Sequence, residues 1–112
     1  MSNTYNKQTR MWEIEGTGTL WTNTLGGVPS NTIGPKYITR VVFVPSSASD
    51  DMVIQETSSS EDAIKLKAGA SDASPVTIDF SAENNGKGRR LVGAKVTTFD
   101  GTGTSTAEIY IA

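Results

Sequence analysis

The stretch Tyr37-Ile38-Thr39-Arg40-Val41-Val42-Phe43-Val44, closed by Pro45-Ser46-Ser47, decides how the rest of the chain is read. Its side chains are β-branched or aromatic almost throughout; these lose little freedom on a pleated strand and pack well there. Strict alternation gives one face of Ile38, Arg40, Val42 and Val44 and another of Tyr37, Thr39, Val41 and Phe43. Neither face is cleanly polar. The strand is therefore expected to be covered on both sides, by a second sheet on one and by a loop or another subunit on the other.

Toward the C-terminus, a turn at Ser49-Asp50-Asp51 precedes the strand Met52-Val53-Ile54-Gln55-Glu56, and Thr57-Ser58-Ser59-Ser60 leads into Ala63-Ile64-Lys65-Leu66-Lys67-Ala68. Ile64 and Leu66 alternate there with Lys65 and Lys67, the period of a strand with one face in water. In Val76-Thr77-Ile78-Asp79-Phe80 the same period turns Val76, Ile78 and Phe80 inward. The loop Glu83-Asn84-Asn85-Gly86-Lys87-Gly88 contains an Asn-Gly pair suited to positive φ, and it feeds a strand from Arg89 to Phe99. Gly93 within that strand predicts a bulge or a close backbone approach. The turn Asp100-Gly101-Thr102-Gly103 predicts a hairpin with Thr106-Ala107-Glu108-Ile109-Tyr110-Ile111, whose apolar residues Ala107, Ile109 and Ile111 require a place inside a sheet.

Toward the N-terminus, Gly16 to Asn23 reads as a short strand around Leu20 and Trp21, followed by a long surface loop broken at Gly26-Gly27, Pro29-Ser30-Asn31 and Gly34-Pro35. Residues 1–15 show no sustained period and are expected to form an N-terminal arm that orders only against something else; fully extended, it would span on the order of 50 Å. No ten-residue segment carries a helical stripe. The expectation is an all-β fold, an antiparallel β-sandwich or jelly-roll-like domain of about seven strands over residues 16–112, preceded by the arm.

A chain of 112 residues has room for one core. It contains neither cysteine nor histidine, which removes disulfides, thiolate and imidazole metal ligands, the thiol nucleophile and the commonest general base. The carboxylate pairs Asp50-Asp51 and Glu61-Asp62 lie in or beside turns, where aspartate hydrogen-bonds nearby amides. Calcium held by Asp50, Asp51, Glu61 or Asp62 is the alternative, although no loop has EF-hand spacing. Gly16-Thr17-Gly18 and Gly101-Thr102-Gly103 lack the lysine and the following helix of a phosphate-binding loop and read as strand-linking turns. No catalytic, cofactor-binding or metal-ligating residue is expected, so the chain reads as a binder or builder and not as an enzyme.

The net charge of -2 is too small for a long-range field that steers polyanions, so nucleic acid is not the expected partner. The dense positive segment Lys87-Gly88-Arg89-Arg90 has no interleaved aromatics and reads as a solvated loop or a contact to an acidic protein surface. The polar start Met1-Ser2-Asn3-Thr4 does not look like an export signal, and no run approaches the length of a membrane span, so a soluble protein made in the cytoplasm is expected. Trp12, Trp21, Tyr5 and Tyr37 could stack on sugar rings in a carbohydrate-binding module, but in small domains such residues are more often core or interface anchors.

The order of Tyr37 to Val44, of Ser46-Ser47-Ala48-Ser49-Asp50-Asp51-Met52-Val53-Ile54, and of Leu91-Val92-Gly93-Ala94-Lys95-Val96-Thr97-Thr98 with its Asp-Gly turn and terminal strand resembles small virion proteins of tailed bacteriophages. Ser49 stands where that type favours glycine, and Thr57-Ser58-Ser59-Ser60 where it favours an Asp-Gly hairpin. The resemblance implies a capsid decoration or cement protein, a β-sandwich that often forms homotrimers on the capsid exterior and bridges neighbouring copies of the major capsid protein. Tyr5, Arg10 and Trp12 on the arm, Trp21 beyond it, and Arg89 and Arg90 are then the candidate partner-binding residues, with no cofactor, nucleic acid or membrane involved. A carbohydrate- or receptor-binding module of a phage fibre or tail is the alternative.

Overall fold

A computed structural model describes residues 3–6, 8–21, 36–56, 62–101 and 104–111 of the chain. These residues form ten strands and no helix: β1 (Thr4–Asn6), β2 (Met11–Ile14), β3 (Gly18–Trp21), β4 (Lys36–Val44), β5 (Asp51–Gln55), β6 (Asp62–Lys67), β7 (Val76–Asp79), β8 (Arg89–Leu91), β9 (Ala94–Phe99) and β10 (Thr106–Ile111). They pair antiparallel in two sheets. One has six strands in the order β1-β2-β10-β4-β7, with β8 also on β4, and the other has four in the order β3-β9-β5-β6. Packed face to face, the sheets make the β-sandwich the sequence leads one to expect. The expected long loop between β3 and β4 lies outside the described residues.

β4 is the spine of the larger sheet. β10 runs along one edge, while β8 and then β7 lie in line along the other, opposite Lys36–Ile38 and Arg40–Phe43 respectively. Its alternation is not strict. Tyr110 of β10 stands opposite Arg40 but Ile111 stands opposite Ile38, so one residue of β4 is skipped and the phase of the strand reverses. Ile38 consequently joins Val41 and Phe43 in the core, all three fully buried, and Arg40 falls on the outer face with Val42 and Val44. Within the single chain, among the described residues, the outer face of β4 lies open: Val44 is 41% exposed, Arg40 is exposed and Val42 only half-buried.

The core follows from cross-strand registers. Ile14, Ala107, Phe43 and Val76 form one row across the larger sheet, and Tyr5, Trp12, Ile109, Val41 and Ile78 the next. The smaller sheet answers with the rows Leu66, Met52, Phe99 and Ile64, Ile54, Val96. Phe43 meets Phe99 edge-on at 5.7 Å between ring centroids, joining the layers at mid-core.

Three strands exceed the expected number, two from the N-terminal segment and one from a strand that splits. β1 and β2 form a hairpin whose turn is fixed by the Asn6 side chain, which accepts hydrogen bonds from the Gln8 and Thr9 amides, and by Arg10 at φ 54°. β2 pairs with β10, so this segment is an integral edge of the sheet and not an arm awaiting a partner. Asn3 fastens it further: its Oδ1 accepts from the Glu15 and Gly16 amides and its Nδ2 donates to the Gly16 carbonyl.

The stretch from Arg89 to Phe99 is two strands in different sheets, because the chain crosses between layers at Val92-Gly93. Gly93 therefore marks a crossing and not a bulge. The expected hairpin across Asp100 to Gly103 is likewise a crossing: β9 lies between β3 and β5, whereas β10 fills the slot between β2 and β4. The terminal strand does sit inside a sheet, as its apolar face requires.

Candidate binding face

The outer face of the six-stranded sheet gathers glutamates at one end and cations toward the other. At one end β2 and β10 place Glu13 directly opposite Glu108, and with Glu15 these residues line a shallow cleft of about 220 Å³ that also includes Val44 and Thr106. Like charges directly opposite across a strand pair cost stability, and among the described residues no lysine or arginine lies within ion-pair distance of any of the three. The Glu108 carboxylate instead accepts the Tyr110 hydroxyl at 2.9 Å.

One row along, Met11, Tyr110, Arg40 and Asp79 stand side by side, with the Arg40 guanidinium 4.3 Å from the centroid of the Tyr110 ring. Asp79 is held below the usual carboxylate range, first by hydrogen bonds from Ser81 and then by the nearby charge of Arg40. Beyond it Tyr37 stands opposite Arg90, with the Lys87 ammonium 5.8 Å from the Tyr37 ring centroid, and the Arg10 turn adjoins the end of β10, where its carbonyl accepts the Ile111 amide. Lys87 and Arg90, with Arg10 beside them, therefore gather at the end remote from the glutamates, and Arg40 stands between the two ends, one row from Glu13 and Glu108. Among the described residues none of the four makes an ion pair within 4 Å.

The six candidates named from the sequence separate cleanly. Arg10 and Arg90 are exposed and belong to the basic end. Tyr5 is half-buried, its ring 5.4 Å from that of Trp12. Trp12 is 5% exposed and Trp21 fully buried, its indole N–H donating to the Leu91 carbonyl at 3.2 Å. Both tryptophans are core residues, which corrects their assignment to a partner surface and leaves the sugar-stacking alternative without its main platform. A tryptophan buries a large apolar area, and Trp12 and Ile14 share the inward phase of β2.

Arg89 is corrected as well. It points between the layers, where Nε and Nη2 grip the two Glu83 carboxylate oxygens at 2.8 and 2.9 Å, Nη1 reaches the Ala63 carbonyl on β6 at 3.4 Å, and the guanidinium lies 4.7 Å from the Phe80 ring centroid. This bidentate grip holds Glu83 below the usual glutamate range. Arg89 thus clamps the 81–88 loop to both sheets and is committed before any partner arrives.

The calcium candidates are spread out. Asp50 accepts from the Ser46 hydroxyl and the Ser47 amide, Asp62 from Gln55 with Lys65 at 3.4 Å, and Asp51 lies against Asp100; Glu61 is outside the described residues. Among the described residues no three acidic groups gather with metal-binding geometry. Sequence reading missed Arg40, Glu13 and Glu108 as a surface, because only the register of β2, β10 and β4 brings them together. The one local signal was the inward phase of Ala107, Ile109 and Ile111, which sends Glu108 and Tyr110 outward.

Fold and face together define an antiparallel β-sandwich that presents an extended, charge-segregated sheet surface. Comparison with protein-family models, with curated proteins and with solved structures finds no match to this chain.

Proposed function

We propose that the protein is a non-enzymatic structural component of a phage virion, a decoration or cement protein that binds the major capsid protein lattice on the outside of the head and stabilises it. The basic end of the six-stranded sheet carries this reading: Lys87 and Arg90, with Arg10 beside them and Arg40 one row inward, form an exposed cationic strip without an ion pair among the described residues, suited to an acidic protein surface. The resemblance of residues 37–112 to small phage virion proteins points the same way, and the sandwich form suits a part that adds to a shell.

Binding many identical lattice sites stabilises the bound state by mass action, provided the protein prefers the expanded shell to its precursor. Purified particles with and without the protein provide the test. Those lacking it should release DNA at lower temperature, and Arg40→Glu/Arg90→Glu should fail to restore resistance where the wild-type protein succeeds. Equal heat resistance of bare and decorated particles would overturn the cementing role.

A further inference from the structure

We propose that the outer face of the six-stranded sheet pairs with the same face of a second copy, the two sheets running antiparallel so that the basic end of each lies over the acidic end of the other. The pairing is argued from charge complementarity within one face. Among the described residues, Glu13, Glu15 and Glu108 stand at one end without a cation, while Lys87 and Arg90, flanked by Arg10, stand at the other without an ion pair; Arg40 lies between the ends, beside Asp79. Along β4, the step from Val42, in the row of Glu13 and Glu108, to Tyr37, opposite Arg90, is about 17 Å. That is about two screening lengths at physiological salt, so the two ends barely neutralise one another within one copy.

Symmetry selects the arrangement. A two-fold axis between the faces and along the strands would stack like on like, whereas one across the strands puts each basic end on an acidic end twice over, as an isologous contact requires. Between the charged ends lie Met11 and Tyr110, half-buried in one copy, with Arg40 and Asp79 in the same row, while Val42, half-buried, and Val44, 41% exposed, stand in the rows of the acidic end. Met11, Tyr110 and Val42 supply the apolar contact that a charged rim needs.

The size of the face sets the strength. Nine residues of β4 run about 30 Å and five strands abreast span about 20 Å, giving roughly 600 Å² per copy against the ~800 Å² of a standard interface. The pair is therefore weak, concentration-dependent and salt-sensitive. It uses the basic end assigned above to the shell, so self-pairing and shell binding exclude each other; the surface pattern supports the pair whether or not shell binding holds.

Sedimentation velocity tests the pairing. The wild-type protein should pass from monomer to dimer at roughly 10–1000 µM in low salt, and association should weaken at least about tenfold between 50 and 500 mM salt. Glu13→Lys/Glu108→Lys makes both ends basic and Lys87→Glu/Arg90→Glu makes both acidic, so each variant alone should stay monomeric and an equimolar mixture should form a 1:1 complex. Circular dichroism melts check that both variants fold; if either does not, Glu13→Gln/Glu108→Gln replaces it and should weaken association and flatten its salt dependence. A wild-type monomer throughout that range, a trimer, or self-association unchanged in both reversed variants would overturn the pairing. Lattice binding that persists while the free protein stays monomeric would sink the pairing and leave the proposed function standing.

Discussion

The two ends of β4 are closed by different chemistry. At the basic end the 81–88 loop folds back through backbone hydrogen bonds from Gly86 and Gly88 to the Glu83 carbonyl, with Asn84, Asn85, Gly86 and Gly88 all at positive φ and the Glu83–Arg89 ion pair gripping the outside. At the acidic end the closure is uncharged at its centre. Ser105, 1% exposed, accepts the Ser46 amide at 2.9 Å and lies 3.1 Å from the Ser46 hydroxyl, which donates in turn to Asp50. One end is held by backbone shape with a half-exposed charge, the other by a hydroxyl network centred on buried Ser105, so substitutions that look alike should act unequally.

Glycine substitution separates the ends most sharply. Gly88 sits at φ 106°, and a Cβ there would collide with the Ile38 carbonyl of β4, a backbone atom with nowhere to go. Gly88→Ala is expected to cost about 3–4 kcal/mol by chemical denaturation, near the ceiling for one residue. Gly101 at the acidic end has φ 76°, and its Cβ would meet the hydroxyls of Ser105 and Ser46. These can rotate at the expense of their hydrogen bonds, so Gly101→Ala should cost less, about 2 kcal/mol. Equal losses at the two sites would erase the distinction between a backbone wall and a side-chain wall.

Removing the polar groups themselves probes the same contrast at smaller scale. Ser105→Ala strips the network of its buried centre and leaves the Ser46 amide unpaired, for an expected loss of about 1–2 kcal/mol. Glu83→Gln loosens a clamp whose partners are each about two-fifths exposed, at 40% for Glu83 and 38% for Arg89, where water screens the attraction; its effect should be smaller. Because the folded state holds Glu83 below its ordinary range, the clamp contributes at neutral pH and fades as pH falls through that lowered value. Thermal melts should show Glu83→Gln and the wild-type protein converging in acid, while the Ser105→Ala deficit persists.

What the sequence revealed of this architecture was whatever period two can express locally. β6 and β7 follow their alternation, with Lys65 and Lys67 outward and Ile64 and Leu66 buried, because each fold constraint there acts on neighbouring residues. The reversed phase of β4 could not be read from Tyr37 to Val44, since it is imposed by the register of β10 some seventy residues away. Nor does Asp100-Gly101 distinguish a hairpin from a crossing: the turn is the same, and the neighbours available to β9 decide. The candidate face suffers from the same blindness, being assembled from β2, β4 and β10 with Lys87 and Arg90. Arg89 and Arg90 are instructive because adjacent strand residues point to opposite faces, so one of the two had to turn inward.

The last contrast lies within the acidic end itself. Asp51 and Asp100 pair backbone to backbone across the crossing, the Asp100 amide donating to the Asp51 carbonyl, while the Asp100 carboxylate accepts the Asp51 amide at 3.0 Å. Two carboxyls so close cannot both be comfortably ionised. The proton belongs to Asp51, whose affinity for it is raised first by the hydrogen bond it makes to Asp100, then by burial and by the charge of Asp100; Asp100 is correspondingly held low. For Asp51 the folded state binds the proton more tightly than the unfolded chain does, so its stabilising effect is present in acid and declines as pH rises through the raised value. At neutral pH the wild-type protein therefore carries unrelieved repulsion, only partly offset by Lys67 and Lys65. Asp51→Asn keeps a donor facing Asp100 and removes that repulsion. It should raise Tm modestly at pH 7, with the advantage shrinking to nothing by about pH 3, where wild-type Asp51 is itself protonated. An offset that stays constant across the two pH values would mean that the side chain acts through packing and not through a shared proton.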